Sequence, residues 1–185
     1  MLNIAKKYKS LEFVKPIKWP EVFGVWREGE AGQASWKKHW EERGFASWEE
    51  WREAYVAPLE PKNLHWSLYK INDPIKDLPF FYGTPTRGWV DKAYGGKKTL
   101  LLKNLVQLPI ITKNEKVLSI KKYFPKKTML TGLIYKDNII LIEGQHRASA
   151  LASWYIQTLL DSEVTIALAK WNQNEIPVLG GNYNK

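Results

Sequence analysis

The stretch IILIEGQHRASALA, from Ile139 to Ala152, decides the fold class of this chain. It begins with an apolar run typical of a buried strand and ends with a run of small residues typical of a helix. Polar residues stand around a glycine where the two runs meet: Glu143, Gly144, Gln145, His146 and Arg147. A strand that leads directly into a helix predicts a mixed α/β domain.

The junction has the chemistry of an anion-binding site. The first backbone N–H groups of a helix lack intrahelical acceptors, and the positive end of the helix dipole lies there. Gly144 permits a close approach that a side chain would block. Arg147 would grip a phosphate with two nitrogens, and His146 would add a donor. A purely structural interpretation stays open, in which Arg147 pairs with Glu143, Gln145 caps the helix and His146 is an ordinary histidine.

Regular structure surrounds the junction. TMLTGLIYKDNII predicts a β-hairpin that turns at residues 136–138, and VTIALAKW predicts a further strand. LLLKNLVQLP and EKVLSIKKYF predict two helices, and the glycine-rich end GGNYNK predicts a frayed tail. The helix after the junction is expected to run for about 15 residues with an apolar stripe. That stripe would be formed by Ala148, Leu151, Ala152, Tyr155 and Leu159.

The first half of the chain is aromatic and rich in turns. SWKKHWEERG and SWEEWREAYVAP repeat aromatic residues at helical spacing, which predicts an N-terminal aromatic helical hairpin. Its rings suit core packing, with a base-stacking platform as the alternative. Prolines and glycines in residues 1–33 predict irregular or short extended segments, and residues 59–98 read as loops with one or two strands. We therefore expect an extension, 1–98, packed on a core domain, 99–185.

Composition limits the partners and the chemistry. A net charge of +9 in 185 residues favours anionic partners such as nucleotides, nucleic acid or acidic membranes, although scattered lysines also suit an ordinary solvated surface. The absence of cysteine excludes disulfides, thiolate metal sites and thiol catalysis. No apolar run reaches the roughly 18 residues of a membrane helix, and the N-terminus lacks the apolar core of a signal peptide. We therefore expect a cytoplasmic protein without a membrane partner.

The quoted stretch resembles the signature of the ParB and sulfiredoxin superfamily, an apolar strand followed by D/E-G-x-H-R and an alanine-rich helix. Its His-Arg form is similar to that of sulfiredoxins, ParB-like free-serine kinases and DGQHR-domain proteins. The resemblance extends over Glu115–Trp171 and is sharp only over Ile139–Ala152. It implies a ParB/sulfiredoxin-like fold, with a small mixed sheet and flanking helices.

The resemblance also implies that the junction binds the phosphates of ATP, ADP or CTP with Mg²⁺. The implied cofactor contacts are Gly144, Gln145, His146, Arg147 and Ser149. The implied catalytic residues are Glu143, His146 and Arg147, with Glu143 also in the acidic position that orients a metal or the arginine. We thus expect a nucleotide-dependent phosphotransferase (kinase) or NTPase with an unknown acceptor. A DNA- or RNA-binding regulator that uses the basic surface, or a non-catalytic ParB-like module, is the alternative.

The chain departs from two members of that superfamily. Sulfiredoxins carry a cysteine where this chain has Gln145, so the repair of sulfinic acids is excluded. Partition-type ParB proteins continue into helix-turn-helix and dimerisation domains, whereas 14 residues follow Trp171 here, so DNA clamping by that route is not expected.

The sequence does not identify the general base, and it assigns no clear site role to the other two histidines. Sequence spacing does not choose among the acidic residues of the loop-rich segment, Glu60, Asp73, Asp77 and Asp91. His39 lies between two tryptophans of the first hairpin helix and suits a structural role, without the spacing of a metal ligand. His65 is a weaker candidate to line the pocket.

Overall fold

Strands from both halves of the chain pair in one five-stranded mixed sheet with the order β1-β2-β5-β3-β4. The computed structural model describes residues 4–154 and 160–180. β3 and β5 are parallel, and the other neighbours are antiparallel. The strands are β1 Leu11–Ile17, β2 Trp66–Ile71, β3 Lys127–Tyr135, β4 Asn138–Glu143 and β5 Glu163–Lys170. The mixed α/β class is confirmed, and the specific ParB/sulfiredoxin-like fold stays a prediction.

Short helices connect and cover these strands. They are α1 Ile4–Lys7, α2 Trp19–Glu30, α3 Ala34–Glu41, α4 Trp48–Val56, α5 Pro74–Asp77, α6 Arg87–Ala93, α7 Leu102–Leu105, α8 Pro109–Thr112, α9 Glu115–Lys122 and α10 Gln145–Ala152. Turns of 3₁₀ helix span Ala57–Leu59, Pro61–Asn63 and Leu78–Phe80. The helices predicted at α7 and α9 and the strand predicted at β5 are confirmed.

The two faces of the sheet have different coverings. Side chains alternate along β3, so Leu130 and Ile134 join an aliphatic cluster with α7 and α10. Met129 and Leu133 face a second cluster rich in tryptophan from α2 and α4. Both faces of the sheet are covered at this side, including at the edge strand β4, so β3 and β4 are apolar almost throughout.

The aromatic hairpin is confirmed as α3 and α4, and its rings pack in the core. Trp48, Trp51 and Tyr55 are all buried, and the Trp36 and Trp51 ring centroids lie 5.4 Å apart. The Ser47 hydroxyl accepts a hydrogen bond from the Glu50 N–H at 3.1 Å, which fixes the start of α4.

The prediction of irregular or short extended segments for residues 1–33 holds at β1, which is extended, and is wrong at α2, which is a 12-residue helix. Pro20 is compatible with the first turn, where its missing N–H costs nothing. Gly24 sits in the helix interior, where glycine propensity is poor, but burial of Val22 and Trp26 on the sheet outweighs that cost. β1 and β2 extend the sheet of the core through β5, and the domain division at residue 98 stays a prediction.

The hairpin between β3 and β4 turns as predicted. Lys136 and Asp137 take φ values of +47° and +60°, the left-handed pair that joins two strands with their natural twist. α10 is shorter than expected over the described residues, because it ends at Ala152 with Ser153 as its C-cap. Tyr155, Leu159 and the predicted frayed tail at 181–185 lie outside the described residues. No helix in the described ranges combines the length and the apolar character needed to cross a bilayer.

Candidate functional site

The turn between β4 and α10 requires a glycine. Gly144 has φ +90°, and a Cβ atom there would lie 2.4 Å from Cδ2 of Leu130. A larger residue would therefore combine left-handed strain with a collision against β3. The turn holds the start of α10 tightly against the end of β4.

Three backbone donors at the start of α10 are free for a ligand. The first backbone hydrogen bond of the helix joins the Ala148 N–H to the Gly144 carbonyl at 2.9 Å. Over the described ranges, the N–H groups of Gln145, His146 and Arg147 donate no hydrogen bond. All three residues line a cleft of about 440 Å³. Free donors at the positive end of a helix dipole favour an anion.

Arg147 and Glu143 form a partly buried ion pair beside these donors. Nη2 of Arg147 lies 2.6 and 2.7 Å from the two carboxylate oxygens, and its Nη1 donates to the Thr128 hydroxyl at 2.6 Å. This contact is the one that the structural interpretation of the sequence predicted. To bind Arg147, a phosphate would have to share the guanidinium with Glu143 or displace the Glu143 carboxylate from it.

The pair bears directly on the metal role implied for Glu143. Both of its carboxylate oxygens accept from Arg147 in the free protein, and the metal role implied for Glu143 stays a prediction. No group of three or more metal-binding side chains comes together within the described residues.

The side chains of Gln145 and Ser149 are bonded to the protein itself. Gln145 is 5% exposed; its Oε1 accepts from the Thr84 N–H at 2.7 Å, and its Nε2 donates to the Ser149 hydroxyl at 3.3 Å. Ser149 is fully buried behind it and is not part of the cleft wall. Through these contacts Gln145 ties the segment around Thr84 to α10.

His146 lies in the cleft as a neutral side chain. Burial, with smaller contributions from the charges of Lys116 and Arg147, lowers the pKa of His146 to about 4. Its ring packs edge-on against Trp89, with centroids 5.6 Å apart. Because neither ring nitrogen has a hydrogen-bond partner in the described part of the chain, an uncharged donor or acceptor remains available at neutral pH.

Two further residues, Lys116 and Thr84, line the cleft, and no pattern in the sequence indicated them. Lys116 on α9 has no carboxylate within ion-pair distance among the described residues, and its partial burial lowers its pKa. The Thr84 hydroxyl is buried, with the residue 3% exposed, and it has no hydrogen-bond partner in the described structure. Nothing in local spacing connects either residue to the junction, because packing brings them there from distant segments.

The rest of the cleft lining is aromatic and contains a second ion pair. Trp26, Trp36 and Trp89 line the cleft. Arg52 donates from Nε to a Glu30 oxygen at 2.7 Å and from Nη2 to the other, and the residue is 7% exposed. Although burial lowers the pKa of Arg52, the charge of Glu30 and its hydrogen bond outweigh burial and raise it. The Arg52 guanidinium is therefore charged and is paired with Glu30.

The remaining sequence candidates lie elsewhere. The four acidic residues considered as bases, Glu60, Asp73, Asp77 and Asp91, do not line the cleft. His65 is exposed and also lies outside it. His39 packs edge-on against Trp36 and Trp51, at centroid distances of 5.5 and 5.2 Å, in keeping with the structural role expected for it.

Comparisons with models of protein families, with curated proteins and with solved structures gave no match to this chain. The resemblance to the ParB and sulfiredoxin superfamily rests on the residues of the junction and stays a prediction.

Proposed function

We propose that this chain binds a nucleotide in the cleft, with the phosphates at the start of α10. One observation carries the proposal: several donors without partners in the described structure line a single cleft that also has an aromatic wall. These donors are the backbone N–H groups at 145–147, the ammonium of Lys116 and the buried hydroxyl of Thr84. A buried hydroxyl without a partner is costly, and a phosphate oxygen would supply the missing acceptor.

The charge of the cleft favours an anion. Its lining contains three cationic side chains, Arg52, Arg147 and Lys116, against two carboxylates, Glu30 and Glu143. Both arginines already form ion pairs with these carboxylates, so Lys116 is the cation most available to bind a ligand. A phosphate there would gain charge-assisted hydrogen bonds from an ammonium and from the helix N–H groups together.

The dimensions and the aromatic wall suit a mononucleotide. A volume of about 440 Å³ lies within the usual range for small-molecule sites, roughly 300 to 1,000 Å³. Trp36 and Trp89 are half-buried, so each has ring surface left to cover. Base stacking on tryptophan would bury that surface and orient the ligand along the cleft.

We further propose phosphoryl transfer to a hydroxyl acceptor, with water as the acceptor in the NTPase form. When the terminal phosphate takes Arg147, Glu143 loses its partner and becomes the carboxylate nearest to the reacting oxygen. Glu143 then accepts the proton of the acceptor hydroxyl, a new O–P bond forms, and the bond to the leaving nucleoside diphosphate breaks. Neutral His146 contributes a hydrogen bond to the phosphate without adding charge.

The test uses Lys116, because its removal breaks no ion pair of the free protein. Thermal unfolding is followed with ATP, ADP, CTP and GTP, with and without Mg²⁺, for the wild type, Lys116→Gln and Lys122→Gln. Lys122 is the matched control, because it lies on the same helix outside the cleft and its change removes the same charge. Ligand at 100 times Kd should stabilise by about 2.7 kcal/mol, a rise in Tm of roughly 5 to 11 °C.

We expect the rise in the wild type and in Lys122→Gln, and a much smaller one in Lys116→Gln. No rise with any nucleotide would refute the proposal. Stabilisation by oligonucleotides alone, with an affinity that falls steeply as salt increases, would instead support the nucleic-acid alternative. An Arg147→Ala variant is less decisive, because it also leaves Glu143 without its partner.

A further inference from the structure

Lys116 differs from the other described lysines in its surroundings. Of the lysines in the described ranges, it alone lines the cleft. Its ammonium lies 4.7 Å from the centroid of the Trp36 ring, and no carboxylate of the described residues lies within ion-pair distance of it. The helix that carries it, α9, packs against α10. An amine in a cleft without an anionic partner is available to react with a ligand.

The neighbouring groups shift Lys116 toward its unprotonated form, which is the form that attacks carbonyl carbons. Burial lowers the pKa of Lys116, and the charges of Arg147 and Arg52 lower it further, although Glu30 and Glu143 act in the opposite direction. A larger share of this amine is therefore nucleophilic near neutral pH than of a lysine with an ordinary pKa.

Donors for a phosphate lie close to the same amine. The N–H groups of Gln145, His146 and Arg147 donate no hydrogen bond within the described ranges, and the buried Thr84 hydroxyl has no partner there. Burial first, and then the charge of Lys116, lower the pKa of His146, so the amine lies within electrostatic reach of the start of α10. A small ligand held there by its phosphate would present its other end to Lys116.

We propose that Lys116 captures small aldehydes that carry a phosphate group, with the phosphate on the N–H groups at the start of α10 and an imine at the lysine amine. This activity goes beyond nucleotide binding and does not depend on it, because it needs no surface for a base. A compact ligand suits the cleft, since the amine lies over the Trp36 ring and also near α10. Nucleotides and aldehydes would compete for the same phosphate donors.

The reaction releases water and needs no further reactant. The ammonium first gives a proton to solvent, and the lone pair of the amine then attacks the carbonyl carbon. A second proton moves from the nitrogen to the oxygen, and the resulting hydroxyl takes a proton from solvent and leaves as water while the C=N bond forms. Because the protonated imine keeps the positive charge of the ammonium, it retains the cation–π contact with Trp36.

The test treats the full chain with pyridoxal phosphate, an aromatic aldehyde with a phosphate group, and with sodium borohydride, which reduces an imine to a stable secondary amine. Mass spectrometry of the digested protein measures the label on each lysine. The label at Lys116 is divided by that at Lys122, which lies on the same helix outside the cleft. Pyridoxal, which lacks the phosphate, is the comparison. Lys116→Arg is the control variant, because it keeps the charge and removes the nucleophilic amine.

We expect a ratio of about ten or more with pyridoxal phosphate and near one with pyridoxal, because charge-assisted hydrogen bonds to the phosphate hold the aldehyde beside Lys116. Inorganic phosphate should lower the ratio, whereas sodium chloride at equal ionic strength should lower it much less. Lys116→Arg should lose the label at position 116 and keep the label at Lys122.

Two results would overturn the proposal. One is equal labelling of Lys116 and Lys122 by pyridoxal phosphate, which would make Lys116 an ordinary surface lysine. The other is an equally high ratio with pyridoxal, which would show that the phosphate is not held. Nucleotide binding is measured separately by thermal unfolding, so either proposal can fail without the other.

Discussion

The ion pair between Arg52 and Glu30 offers a sharp test of how the aromatic half is held together. Glu30 lies at the end of α2, and Arg52 lies in α4, so the pair joins the two helices that cover one face of the sheet. The guanidinium also packs against the Trp51 and Tyr55 rings, 4.3 and 4.9 Å from their centroids. Replacing Glu30 by leucine would leave a buried arginine charge among these rings without its partner.

The expected cost follows from the burial of the pair. Removing one partner of a buried ion pair typically costs about 3 to 5 kcal/mol, because the other charge stays desolvated. For a chain of this length that corresponds to a fall in Tm of roughly 6 to 20 °C. In Glu30→Leu with Arg52→Leu the uncompensated charge is gone, and the main remaining loss is the acceptor of the Trp48 N–H, about 1 to 3 kcal/mol. The double variant should therefore be more stable than either single one.

The free energies of unfolding of the wild type, Glu30→Leu, Arg52→Leu and the double variant are measured by urea unfolding, which is followed by far-UV circular dichroism. Circular dichroism is preferred to fluorescence because the substitutions change the surroundings of several tryptophans. A cost below about 1 kcal/mol for Glu30→Leu would show that the arginine finds water or another partner, and would refute the reasoning. Single costs that simply add in the double variant would equally contradict the coupling.

Three further predictions concern the site. Gly144→Ala should lower the free energy of unfolding in urea by roughly 2 to 4 kcal/mol, because the new methyl group collides with the Leu130 side chain. Gly96→Ala is the control, since Gly96 has a similar left-handed φ but open space around it, and it should cost only about 1 to 2 kcal/mol. Equal costs would contradict the collision. The pKa of His146 is 6.5 in the unfolded chain and about 4 in the folded protein, so its contribution to the free energy of unfolding is complete above pH 6.5 and is lost as the pH falls to 4. Between these pH values the wild type should lose about 3 kcal/mol more stability than His146→Gln, and equal losses would contradict the assignment. Thr84→Val removes a hydroxyl that has no partner in the described structure, so Tm should not fall, whereas the affinity for nucleotide should weaken by about tenfold or more. A fall in Tm would show that the hydroxyl makes a hydrogen bond in the free protein.

Local patterns in the sequence were sufficient to predict those structural features that depend on residues close together along the chain. The turn at Lys136 and Asp137, the strand that leads to Gly144 and the start of α10 follow from turn residues, alternation of apolar side chains and a glycine before a helix. These signals predicted the mixed α/β class and placed five candidate site residues, 143–147, on one cleft wall. They also raised the Glu143–Arg147 pair as one of two interpretations.

The rest depended on contacts between distant segments. α2 was missed because its glycines and its proline weaken the helical signal, and the burial of Trp26 against the sheet compensates only in the folded chain. Thr84 and Lys116 reach the cleft from separate elements, and Arg52 finds Glu30 across 22 positions. A sequence read in short windows reports propensity and periodicity. It does not report which charges and hydroxyls remain unpaired, because pairing is settled only when the sheet brings both halves of the chain together.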